Sequence, residues 1–168
     1  MTFHEEFPLA RAGDIVTDSE MTPEYNCVGW ALHLKRSVIW PDDDQQHQWA
    51  PDLPRRPDKD IFCAFFEKMG FSECNDENFE QSREKIAIYS RGNEVLHVAR
   101  QLRDGRWTSK LGPLADVLHP TALSISDGWF GVLAILMSRE WTGGPPRIPP
   151  LHPPPARLVT PSGGTLVR

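Results

Sequence analysis

Hydrophobic residues in the first third of the chain recur with the period of an α-helix. One face of this predicted helix carries four residues at spacings i, i+3, i+4 and i+7, namely Cys27, Trp30, Ala31 and Leu34. Thr22 and Pro23 precede the segment and are typical of a helix start. The pattern therefore predicts a helix that begins near Cys27 and ends before Trp40.

A second helix is predicted from Asp58 to Met69, and the hydrophobic period then changes from 3.6 to two. Asp58 is a favourable N-cap, and Gly70 stands where a C-capping glycine is expected. Strands are predicted over residues 85–89, 95–102, 106–111 and 129–137, the last as a central strand covered on both faces. This order predicts an α+β fold in which the Cys27 helix packs against an antiparallel β-sheet.

The hairpin around Asp104-Gly105 has two candidate registers. A tight two-residue loop pairs Val98 with Leu111 and separates apolar from polar side chains, which favours this register. It places His97 on one face with Thr108 and Lys110. A bulged three-residue loop instead places His97 with Trp107, Ser109 and Leu111, and this alternative stays open.

Proline becomes frequent from Thr142 onward. Because prolines cannot join a ladder or a helix interior, we expect residues 142–168 to form a tail without a core of its own. Residues 1–141 are predicted to form a single domain. The tail is predicted to be dispensable for folding, and it is the segment through which a protein partner would bind.

Composition narrows the functional classes. A net charge of -5 argues against a nucleic-acid binder, and no apolar run is long enough for a membrane span. No signal peptide is evident at the N-terminus. Three cysteines without CxxC spacing predict neither a disulfide framework nor a zinc site, and the histidines are scattered. We therefore expect a cytoplasmic protein without a metal or other cofactor.

Two residues are candidates for thiol chemistry. Cys27 lies near a predicted helix start, where N–H groups and the helix dipole favour a thiolate. His97 opens a predicted strand and is a candidate general base. Taken alone, each residue is more typical of a structural cysteine or a surface histidine.

Cys27 with Trp30 three residues on, followed by His97-Val98-Ala99 on a strand, resembles the papain-like cysteine hydrolases, especially the NlpC/P60 and CHAP amidases. The resemblance covers roughly residues 25–137. It implies a papain-like (NlpC/P60-like) core in which a helix carrying the cysteine packs on an antiparallel sheet carrying the histidine. Segments 97–102 and 107–112 also resemble a bacterial family of unassigned function.

The resemblance implies a role for further residues. Cys27 matches the nucleophile and His97 the base, and Asn26 is a candidate donor to an oxyanion hole. Such enzymes orient the histidine with an acceptor on the next strand, but Lys110 stands about there and its ammonium has no lone pair. Three other candidates for this acceptor are Thr108, Ser109 and Asp116.

Two functions are compatible with these residues. The first is a thiol-dependent hydrolase or acyltransferase that acts on an amide or acyl bond of an unknown peptide, amide or acyl substrate through Cys27 and His97. The alternative is a non-catalytic binding or immunity-type module on the same fold. The two differ in geometry, because only the first requires Cys27 and His97 to meet.

Overall fold

A computed structural model of the protein describes residues 3–153, with side chains described from Glu5 onward. The described residues form one antiparallel sheet in the order β1-β6-β5-β4-β3-β7-β2. Its strands are β1 (Val16–Thr17), β2 (Ser72–Glu73), β3 (Arg83–Arg91), β4 (Glu94–Gln101), β5 (Trp107–Lys110), β6 (Asp116–His119) and β7 (Val132–Glu140). β3 to β6 follow one another in space as they do in sequence.

The helices are short. They are α1 (Phe3–Glu6), α2 (Cys27–Ala31) and α3 (Lys59–Glu67), with a 3-10 helix at Ala122–Ile125. Asn26 caps α2, since its Oδ1 accepts a hydrogen bond of 3.1 Å from Gly29 N. α2 ends early because the chain folds back over Gly29, where a Cβ atom would lie 2.2 Å from the Ser37 carbonyl oxygen.

The predicted fold class is wrong. Strands account for 30% of the structure and helices for 13%, so the fold is dominated by its sheet and is not a papain-like helix packed on a sheet. The helix expected to continue to Leu34 stops at Ala31, and Leu34 N donates back to Gly29 O. Five residues give too small a helix to form a layer of their own.

The sheet separates two hydrophobic clusters. The front face, which we define as the side covered by α2 and α3, packs Val98 of β4 against aromatic residues such as Phe62 and Trp49. The back face packs the next residue of β4, Ala99, against Trp107 and against residues 7–15 of the N-terminal segment. Successive strand residues point to opposite faces, so each position along β4 belongs to one cluster or the other.

The β4–β5 hairpin adopts the bulged register, and the preferred tight loop is wrong. Arg100 pairs with Thr108 and Gln101 with Trp107, while Leu102 N donates to Arg106 O around a three-residue loop. Gly105 closes this loop at a φ of 91°, a conformation that favours glycine. The one-residue change moves Thr108 and Lys110 to the front face and Ser109 to the back face, beside His97.

β7 confirms a strand in the region predicted for residues 129–137, but the strand is not covered along its whole length. β2 pairs only with Ser138 and Met137, near the end of β7. The first half of β7 is therefore not paired with β2. Its side chains are also not all covered, since Val132 and Ala134 are exposed.

The first part of the predicted proline-rich tail is not free of the domain. Ile148 and Leu151 pack against the front cluster, and His152 exchanges two backbone hydrogen bonds of 2.9 and 2.8 Å with Trp49. Arg55 Nη2 donates to His152 O at 2.6 Å. The boundary predicted at residue 141 is therefore wrong as far as Pro153, and residues 154–168 lie outside the described part.

Truncation after Trp141 should now destabilise the domain. Removing the contacts of Ile148 and Leu151 should cost roughly 2 kcal/mol or more, which lowers the melting temperature by about 4–8 °C at this chain length. Differential scanning calorimetry checks this result. Leu151→Ala should reproduce part of the loss and Arg147→Ala, at an exposed position, should not; an unchanged melting temperature on truncation would contradict the docking.

Candidate functional site

Cys27 is the first residue of α2, but its environment opposes a thiolate. Its sulfur lies on the front face, and nearby backbone groups, including that of Val98, lower the pKa of the thiol. Burial nevertheless dominates and raises the pKa of the thiol to about 11. No charged side chain in residues 3–153 contributes to this shift, so the structure offers Cys27 no general base there.

His97 lies on the back face and does not meet Cys27. Its Nε2 is 2.9 Å from Ser109 Oγ, and its ring stacks on Phe130 at a centroid distance of 4.0 Å. His97 is 1% exposed, and burial together with nearby His119 lowers its pKa well below 6.5. The predicted Cys27–His97 pair is therefore wrong, because the sheet stands between the two side chains.

Ser109 bridges two histidines. Its Oγ is 2.9 Å from Nε2 of His97 and 2.9 Å from Nε2 of His119, whose Nδ1 is 2.8 Å from Thr121 O. Thr121 O can only accept, so His119 carries its proton on Nδ1 and accepts from Ser109 through Nε2. His97 then donates to Ser109. This buried chain joins β4, β5 and β6 from inside the core, and Ser109 is 0% exposed.

The remaining predicted residues act elsewhere. Asn26 caps α2, and its side-chain amide also binds the backbone of Ile39: Nδ2 donates to Ile39 O and Oδ1 accepts from Ile39 N. It is therefore not placed as an oxyanion donor beside a reactive thiol. Thr108 Oγ1 accepts from Trp30 Nε1 at 3.0 Å. Lys110 Nζ donates to Thr22 O and Leu114 O. None of them orients His97.

Asp116, the third candidate acceptor, is engaged by a tyrosine. Tyr25 Oη donates to its two carboxylate oxygens at 3.0 and 2.8 Å. Burial and this carboxylate together raise the pKa of Tyr25 to about 12. The carboxylate of Asp116 therefore lies on the front face, on the far side of the sheet from His97.

Cys27 should react slowly with alkylating reagents. A thiol with a pKa near 11 carries a negligible thiolate fraction at pH 7, and its burial excludes reagent as well. Iodoacetamide labelling followed by peptide mass spectrometry should modify Cys74, which is half-buried, well before Cys27. Unfolded protein should show equal rates. Preferential modification of Cys27 in the folded protein would restore it as a candidate nucleophile.

Arg100 is a buried cation on the front face that forms no salt bridge within residues 3–153. It is 8% exposed, its Nε donates to Trp30 O at 3.2 Å, and its guanidinium lies 4.9 Å from the centre of the Trp30 ring. Nε is the Arg100 atom that forms a side-chain hydrogen bond within residues 3–153, and the two Nη atoms are not among the fully buried unsatisfied polar atoms there. Burial lowers the pKa of Arg100, against the opposing effects of Glu84 and Asp116.

The nearest carboxylates are occupied by other groups. Glu84 lies between His33 Nε2 and Arg139 Nη2, each at 2.5 Å, and is 2% exposed. Asp116 is held by Tyr25. Arg100 and His33 share a hydrogen-bond acceptor, because Trp30 O accepts from both Arg100 Nε and the backbone N–H of His33. His33 in turn contacts Glu84.

The pattern of residues gave little indication of this site. The only signal is that Arg100 follows Val98 by two positions on a strand, which places a guanidinium on an apolar face. A surface depression of about 340 Å³ lined by residues such as Ser90, Gly92 and Asp127 lies elsewhere and does not include Arg100. We prefer Arg100 as the candidate site because the depression has mainly backbone and exposed side chains around it.

In residues 3–153, no group of three or more histidine, cysteine, aspartate or glutamate side chains is arranged to hold a metal ion. None of the helices there has the length and apolar character needed to cross a membrane.

Comparisons with known proteins give one match. No curated protein and no solved structure is significantly similar to the chain. A family model with the description "Domain of unknown function (DUF7689)" matches residues 16–138, which include α2, α3 and every strand except the last two residues of β7. The chain therefore belongs to the DUF7689 family.

Proposed function

We propose that this domain is a non-catalytic binding module that holds an anionic group of its ligand at Arg100, beside Trp30. The observation that carries this proposal is the buried guanidinium without a carboxylate partner. Burying a charge without a partner is unfavourable, and buried charges in proteins are usually paired. An anion from outside the domain would supply the missing partner.

Geometry favours binding over thiol catalysis. Thiol catalysis requires an activated sulfur within reach of a base, but burial raises the pKa of Cys27 and the base candidate lies on the other face. Arg100, in contrast, has two Nη groups available for a bidentate contact. We also propose that the module works in the cytoplasm, where its free thiols Cys27, Cys63 and Cys74 would stay reduced.

Calorimetric titration with acetate and with methyl phosphate, at constant ionic strength, tests the proposal. The parent protein should bind at least one of these anions at a single saturable site. Arg100→Met should weaken that binding ~10-fold or more, since a hydrogen bond to a charged group contributes about 1.5–3 kcal/mol. Arg106→Gln is the matched control, because Arg106 is exposed and already paired with Asp104 at 2.7 Å.

Stability separates a binding role from a structural one. Arg100→Met removes a buried charge that has no salt-bridge partner, and it leaves Trp30 O with its bond from His33 N–H. The anion-free variant should therefore unfold in urea within about 1 kcal/mol of the parent, or be more stable. A loss of more than ~2 kcal/mol, with no anion binding by the parent, would show that Arg100 is structural.

A further inference from the structure

We infer that the ligand group held at Arg100 is a monoanionic carboxylate attached to an apolar group, which rests on the proposed function of the site. Three features of the front face carry this inference: the free edge of the guanidinium, the balance of charges around it, and the exposed part of the Trp30 ring.

The orientation of the guanidinium is fixed from behind. Nε donates to Trp30 O at 3.2 Å, so the Nη atoms form the remaining donor edge. Parallel N–H groups on one planar fork match the two oxygens of a carboxylate. A lysine at this position would present a single ammonium without this match, so the arginine itself indicates a ligand with paired oxygens.

Charge balance around Arg100 favours one negative charge. Glu84 is neutralised by Arg139 at 2.5 Å. Asp116 and Lys110 face each other across the β5–β6 ladder and influence each other electrostatically. Lys35 lies 5.3 Å from the Trp30 ring but is exposed, where water screens its charge. One buried positive charge therefore remains, and a dianion would leave an excess negative charge near Glu84 and Asp116.

Trp30 supplies the apolar part of the site. Its only polar atom, Nε1, already donates to Thr108 Oγ1 at 3.0 Å on the sheet. The ring is half-buried and lies beside the guanidinium of Arg100. An alkyl or aryl group next to the carboxylate would cover this surface, and an aromatic ring would gain most.

Four probes at pH 8 and constant ionic strength test the inference by calorimetric titration. They are acetate, phenylacetate, dimethyl phosphate as a phosphodiester monoanion, and methyl phosphate, which is a dianion there because its second pKa is about 6. Phenylacetate should bind tightest, acetate more weakly, and methyl phosphate weakest. Arg100→Met should weaken phenylacetate binding ~10-fold or more, whereas Arg106→Gln should leave it unchanged.

Each outcome decides between the proposals. Tightest binding of methyl phosphate or dimethyl phosphate, lost in Arg100→Met, would overturn the carboxylate and keep the anion site. Absence of binding for all four probes would overturn the proposed function itself. Trp30→Phe should keep acetate binding and reduce the preference for phenylacetate at least twofold; an unchanged preference would remove Trp30 from the site.

Discussion

Replacing Glu84 by alanine should lower the free energy of unfolding by about 3–5 kcal/mol. The carboxylate is buried between His33 and Arg139, and Arg139 is itself buried on β7. Without Glu84 the Arg139 guanidinium would keep a hydrogen bond to Gly144 O but lose its ionic partner. The cost arises mainly from that uncompensated charge. Urea denaturation monitored by tryptophan fluorescence measures it.

The matched control is Glu140→Ala, since Glu140 is the next residue on β7 from Arg139 and is exposed; it should change stability by less than about 0.5 kcal/mol. A double variant, Glu84→Leu with Arg139→Met, distinguishes a charge effect from a packing effect. Its loss of unfolding free energy should be smaller by ~1–3 kcal/mol than the sum of the losses in the two single variants. Strict additivity would contradict the ion pair as the origin of the effect.

Acid should destabilise the domain through His97 and His119. Burial lowers the pKa of His119 to about 4, and burial with the neighbouring His119 lowers that of His97 well below 6.5. Both side chains therefore stay neutral in the fold while the unfolded chain takes up protons near pH 6.5. Stability is fully present above that pH and is lost as the pH falls toward 4. His119 alone accounts for about 3 kcal/mol of this loss.

Urea denaturation at several pH values between 7.5 and 4 measures this dependence. His119→Gln should reduce the slope of the unfolding free energy against pH, below pH 6.5, by roughly one proton. A parent protein whose stability is constant from pH 6.5 to 4.5 would contradict the buried neutral network around Ser109.

Local patterns along this chain identified individual elements better than they identified the fold. The strand predicted over residues 95–102 is confirmed as β4, and the helix predicted from Asp58 to Met69 is confirmed as α3. Both depend on short-range periodicity, which a single sequence carries. The α2 prediction overran because Leu34 fits the helical spacing, whereas the close approach of Gly29 to the Ser37 carbonyl is a tertiary contact.

The prediction of which side chains lie beside His97 depended on a one-residue difference in the register of the β4–β5 hairpin. Polar and apolar residues separate cleanly if the hairpin loop has two residues, but Gly105 closes a loop of three. This change placed Thr108 and Lys110 on the face of the sheet away from His97, and it brought Ser109 to the same face as His97. Arg100 had no comparable signal in the sequence. Arg100 lacks a carboxylate partner because Glu84 is bound by Arg139 and Asp116 by Tyr25, and these are contacts of the folded structure.

The most direct test of the anion site follows the NMR signals of Arg100 Nε–H and Trp30 Nε1–H while phenylacetate is added at constant ionic strength. Both groups have defined partners, Trp30 O and Thr108 Oγ1, so their signals report on the site itself. We expect both signals to shift and saturate with the same dissociation constant, while Arg106 Nε–H, paired with Asp104, stays unchanged. Small, unsaturable shifts that are equal at Arg100 and Arg106 would contradict the account.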